Sequence, residues 1–126
     1  MTRYVLDASA VLALFSREKG WEKVDSIRNQ AILGTVNLAE VLTKLAQDGI
    51  NIEKAVKEIF ELNVNIVEFD QRLAVKTAEL RLATKQFGLS LGDRACLALA
   101  LNNDSIAVTA DKTWSKLDFC AVEVIR

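Results

Sequence analysis

The chain has 126 residues, a common size for one folding unit, and 51% of them are hydrophobic, which excludes a disordered chain. A net charge of −1 leaves no global basic field, so any contact with nucleic acid has to rest on a local patch. Histidine is absent, which removes Ser-His-Asp triads, Cys-His dyads, H-E-x-x-H zinc sites and any histidine general base.

Tyr4-Val5-Leu6 reads as a short buried strand ending at Asp7, followed by a helix over 8–15 and a polar break over 16–20. Trp21, Val24 and Ile27 recur at helical spacing within a helix over 21–29. Residues 31–35 form a second strand. Asn37 opens a helix to about residue 48, and Gly49 ends it as a C-cap. Asn51 caps a helix over 52–62, and 65–69 is a third strand. Asp70 caps a long helix to Phe87 that Gly88 stops, and Ser90 caps an apolar helix to Leu101. A turn over 102–104 leads to a fourth strand at 106–109, a helical turn at 113–116 and a last strand at 121–125.

Short, continuously apolar strands alternating with helices suit a parallel sheet buried on both faces, an α/β fold. There is no repeat, low-complexity tract or linker, so a single domain is expected. None of the glycines forms a phosphate-binding or dinucleotide loop. Cys96 and Cys120 lie in apolar sequence and read as buried small hydrophobes in a reducing cytoplasm, without a disulfide or thiolate zinc site. The start MTRYVLDAS has no long apolar stretch of a signal peptide, and no apolar run is long enough to span a bilayer.

Four acids stand apart from the rest. Asp7, Glu40, Asp93 and Asp111 lie where one element gives way to the next, each among apolar residues and turn formers: VLDASAVLAL, TVNLAEVLTKL, SLGDRACLALA and IAVTADKTW. A carboxylate beside a buried run is costly unless capped, paired or bound to a cation. In an open parallel sheet the ligand site lies beyond the carboxyl ends of the strands, which is where this pattern sets all four. Converging carboxylates would make a negative cavity suited to a hard divalent metal.

Each acid also has a local explanation. Asn37-x-x-Glu40 and Ser90-x-x-Asp93 have the form of capping boxes, Asp7 or Ser9 can cap the first helix, and Asp111 the turn at Thr113. The two roles are compatible, because a helix N-terminus keeps a carboxylate ionised and ready for metal. Ser9 and Thr109 can orient the acids two residues away or satisfy nearby backbone. Arg94 and Lys112 can touch phosphate, although charges on a solvated edge are the default. Trp21 and Trp114 can stack bases, although core packing is the better account.

At VLDASAVLALF, NLAEVL, LSLGDRACLALA and VTADKTW the chain resembles PIN-domain ribonucleases, and in size and simplicity it looks like the VapC-type toxins of toxin–antitoxin pairs. The resemblance runs from Tyr4 to about Val124. It implies a three-layer α/β/α fold and RNA cleavage dependent on Mg²⁺ or Mn²⁺. It also implies a partner antitoxin and a homodimer. The family's metal-site acids map onto Asp7, Glu40, Asp93 and Asp111, and its hydroxyl residue after the first aspartate onto Ser9.

The expectation is therefore a metal-dependent endoribonuclease. Asp7 serves as the central ligand, Asp93 and Asp111 bind directly or through water, and Glu40 acts through a coordinated water. Two alternatives stand beside it. One is a phosphatase with Asp7 as nucleophile, which commonly wants a second acid where Ser9 stands. The other is a PIN-like binding module without turnover.

Overall fold

Pleating splits each central strand of this protein between two cores. The computed structural model describes residues 3–126. Its strands are β1 (Tyr4–Leu6), β2 (Ala31–Gly34), β3 (Asn65–Val67), β4 (Ile106–Thr109) and β5 (Val122–Val124). They form one parallel sheet in the order β3-β2-β1-β4-β5. The helices are α1 (Ala8–Ser16), α2 (Trp21–Ile27), α3 (Thr35–Gln47), α4 (Ile52–Phe60), α5 (Gln71–Thr84) and α6 (Leu91–Asn102). Successive strand residues face opposite sides. Leu6, Ala31, Leu33 and Val108 pack with Val11, Val24, Val41 and Ile59 from α1 to α4. Val5, Ile32 and Ala107 pack with Leu73 and Leu80 of α5, Leu97 of α6 and Trp114. The result is the expected three-layer α/β/α fold. Val5 and Leu6 are fully buried, one on each side. At roughly 1.5–3 kcal/mol each, their burial pins the end of β1 and Asp7 with it.

Several boundaries differ from the sequence expectation. Helix α3 begins at Thr35, with Gly34 as its N-cap, two residues before Asn37. Asn37 and Glu40 are therefore not a capping box, and Glu40 lies in the second turn. At this helix start the Thr35 hydroxyl accepts a 3.0 Å hydrogen bond from the Phe69 N–H, just past the end of β3 at Val67. Helix α2 passes into a 3₁₀ turn at Arg28–Gln30, and α5 into another at Lys85–Phe87. Helix α4 stops at Phe60, two residues short of Leu62. The caps at Asn51, Asp70 and Ser90 form as expected, each side chain accepting a backbone N–H. Among the described residues no helix is long and apolar enough to cross a membrane.

The strand order reverses between β1 and β4. From β1 the chain steps outward to β2 and β3 on one side, then returns to add β4 and β5 on the other. The crevice at the carboxyl ends of β1 and β4 is thus the topological switch point, the usual ligand position of an open α/β sheet.

Candidate metal centre

Asp7 lies at that switch point. Its N–H continues the ladder, donating to Val108 O at 2.9 Å. It occupies the N-cap position of α1, but its side chain makes no cap hydrogen bond. Instead Oδ2 accepts from the Ser9 hydroxyl at 2.7 Å and the Thr109 hydroxyl at 2.8 Å. Both hydroxyls are themselves oriented by backbone: Ser9 Oγ accepts from the Ala110 N–H and Thr109 Oγ1 from the Asp111 N–H. The carboxylate is held in one orientation, and Oδ1 takes no hydrogen bond among the described residues.

Asp7 is only 5% exposed. Burial pushes its carboxyl up to about 6, the two hydroxyl donors oppose the shift, and the charges of Asp93 and Glu40 add to it. The charges of those two acids thus reach Asp7. Asp111 is not among the groups that raise it.

Glu40 is placed from α3. The Asn37 amide nitrogen donates to Glu40 Oε1 at 2.9 Å and to the Gly92 carbonyl of α6 at 3.0 Å. Gly92 lies in the first turn of α6, and a Cβ there would overlap the Glu40 carboxylate. The absence of a side chain at Gly92 is what lets Glu40 lie against the start of α6, one residue from Asp93.

Asp93 and Asp111 do cap. Asp93 Oδ2 accepts the Ser90 N–H while Ser90 Oγ accepts the Asp93 N–H, a reciprocal capping box. Asp111 is exposed and accepts the Thr113 N–H at 2.9 Å, capping the 3₁₀ turn Lys112–Lys116. Among the described residues no three His, Cys, Asp or Glu side chains gather closely enough to hold a metal ion. The donor chemistry nevertheless fits a hard cation. All four acids offer oxygen, and each hydrogen bond described uses one carboxylate oxygen and spares the other.

The remaining sequence candidates divide. Trp114 is fully buried and unavailable for base stacking. Trp21 packs against the first core, with the Arg17 guanidinium 4.6 Å above its ring. Arg94 donates to Thr77 O at 3.0 Å and braces α6 against α5. Lys112 is exposed. Cys96 and Cys120 are both free, and burial pushes both thiols up, Cys96 well above the usual thiol range. Sequence reasoning gave Asn37 only a capping role and gave Gly92 none. The available signal was Asn37 itself, a polar residue on the buried stripe Asn37, Val41, Leu45 of α3.

An open parallel sheet with a buried carboxylate, Asp7, at its switch point defines a class of α/β proteins. Within that class the chain belongs to the PIN domain family, whose model matches residues 4–119. Among curated proteins none matches it. Among solved structures it is similar to a toxin–antitoxin complex from Klebsiella pneumoniae, with a TM-score of 0.78, 19% identity and 98% of each chain covered. DNA-bound VapBC from Salmonella typhimurium gives 0.76 at 16% identity, with all of both chains covered. VapC20 from Mycobacterium tuberculosis, a sarcin-ricin loop cleaving toxin, gives 0.75 at 18% identity, covering 89% of this chain and 92% of that one. The fold is thus that of a VapC-like PIN domain.

Proposed function

We propose that this PIN-domain protein is a metal-dependent endoribonuclease and the toxin of a toxin–antitoxin pair. The observation that carries the reading is Asp7: a buried carboxylate fixed by Ser9 and Thr109 at the sheet's switch point, its Oδ1 without a hydrogen bond among the described residues and its proton affinity raised by the charges of Asp93 and Glu40. No cation of the chain pairs with these acids among the ion pairs of the described residues. The Mycobacterium tuberculosis relative is named as a sarcin-ricin loop cleaving toxin, which supports an RNA loop as the substrate class. Several of the similar structures are toxin–antitoxin complexes, which supports an antitoxin as partner. A homodimer in the cytoplasm completes the proposal.

In this reading Asp7, Glu40, Asp93 and Asp111 hold Mg²⁺ or Mn²⁺. A bound ion supplies a water of lowered pKa and neutralises charge on the phosphodiester. The chain's own residues do the positioning. Ser9 and Thr109 lock the Asp7 rotamer, and their donation favours its ionised form. Asp93 and Asp111 keep helix caps while offering their second oxygens. The Asp7-nucleophile phosphatase is less well supported, because Ser9 occupies the position of the second acid and donates to Asp7 itself.

An assay on a mixed RNA pool with Mg²⁺, Mn²⁺ or EDTA tests the proposal. Cleavage with metal and none in EDTA is expected. Binding to RNA without turnover would replace the nuclease with a binding module, and phosphate release from a monoester would replace it with a phosphatase.

A further inference from the structure

We infer that Asn37 is a positioning residue for the metal centre, clamping Glu40 of α3 onto the first turn of α6. This rests on the metal-centre reading above. Asn37 is 1% exposed and lies on the same stripe of α3 as Val41 and Leu45. An aliphatic side chain there would pack with its neighbours without losing hydration, whereas a buried amide is unfavourable unless bonded. Both protons of the amide are committed, one to the Glu40 carboxylate and one to the Gly92 carbonyl. The two partners are pure acceptors, so only the amide nitrogen can face them, which fixes the orientation of the group.

The consequence for Glu40 is specific. Its side chain is long and its residue is exposed, so an unrestrained carboxylate would range over several rotamers. The Asn37 bond selects the one in which the carboxylate lies over Gly92, where any Cβ would overlap it. The same amide ties α3 to α6 at the residue before Asp93. One side chain therefore sets both the rotamer of Glu40 and its place relative to Asp93. Its substitution acts on metal binding through Glu40, not through the core.

A double-mutant cycle between Asn37→Leu and Glu40→Gln tests this, read by Mn²⁺ titration calorimetry and by melting in EDTA. Asn37→Leu is expected to weaken Mn²⁺ binding about 10-fold or more, in the range for partners that orient a metal ligand. In the Glu40→Gln background the same change is expected to cost little further affinity. Gly92→Ala, which displaces Glu40 from the other side, is expected to repeat the pattern. If Asn37→Leu does not fold, Gly92→Ala and Asn37→Ser carry the cycle. Wild-type Mn²⁺ affinity in both Asn37→Leu and Gly92→Ala overturns the inference, and so do losses that simply add to that of Glu40→Gln. A wild-type protein that binds no Mn²⁺ overturns the metal-centre reading itself, and the inference with it.

Discussion

Thr109, the last residue of β4, donates a 2.8 Å hydrogen bond to Asp7 Oδ2 across 102 residues of sequence. Its oxygen at the same time accepts the Asp111 N–H at 3.1 Å. One fully buried hydroxyl thus links the orientation of Asp7 to the backbone that places Asp111. Thr109→Val keeps the shape and removes both bonds. We expect a stability loss of about 1–3 kcal/mol from the orphaned groups and a roughly 10- to 100-fold loss of Mn²⁺ affinity. Thr109→Ser is expected to retain most of both. Denaturant melts and metal titrations of the pair check this; an unchanged Mn²⁺ affinity in Thr109→Val would remove Thr109 from any role in orienting Asp7.

Burial pushes the Asp7 carboxyl from an ordinary value of 3.8 up to about 6. The raised value means that the folded state prefers the protonated acid. Asp7 therefore stabilises the metal-free fold fully below pH 3.8, and that contribution is lost as pH rises through about 6. The difference is on the order of 3 kcal/mol. Metal competes with the same proton, so Mn²⁺ affinity is expected to rise over this window. Asp7→Asn in EDTA should lack this component of the pH dependence. Melting of both proteins in EDTA across the acid range decides it, and identical pH profiles would refute the assignment.

Asp7→Asn conserves volume and most local hydrogen bonding but removes the central charge. Under the proposed function we expect RNA cleavage to fall by at least ~10²-fold with the fold intact. Full wild-type activity in EDTA, or in a folded Asp7→Asn protein, would show that the centre is not where the chemistry occurs.

Asp111 separates ligand from cap. Asn caps about as well as Asp, so Asp111→Asn should keep the bond from the Thr113 N–H. If Asp111 binds metal, the variant should melt at or above wild type in EDTA and gain much less from Mn²⁺. Wild type is expected to gain ~2.7 kcal/mol at a hundredfold excess of metal over Kd. Equal Mn²⁺-induced shifts in the two proteins would leave Asp111 as a cap alone.

Local chemistry made the elements readable. The stops at Gly49 and Gly88, both at positive φ, and the caps at Asn51, Asp70 and Ser90 depend on neighbours a few residues away, so spacing alone located them. The apolar strands alternating with helices likewise implied a parallel sheet buried on both faces. The four acids were conspicuous for the same reason, because a carboxylate within apolar sequence needs an explanation wherever it occurs.

Tertiary structure decided what each acid does. Asp7 occupies an N-cap position yet makes no cap bond, because Thr109 reaches it from the adjacent strand. Asp93 and Asp111 kept the caps their sequences suggested, because their cap partners lie within three residues. The Asn37–Glu40 pair fits a capping-box pattern, but α3 starts two residues earlier, where Thr35 meets the Phe69 N–H. That shift turned Asn37 into the buried face and Glu40 toward Gly92, 55 residues from Asn37. Sequence spacing reports what a residue can bond within its own turn. Which bond it keeps depends on the strand or helix that folding brings against it, since a buried polar group takes whatever partner replaces its lost water.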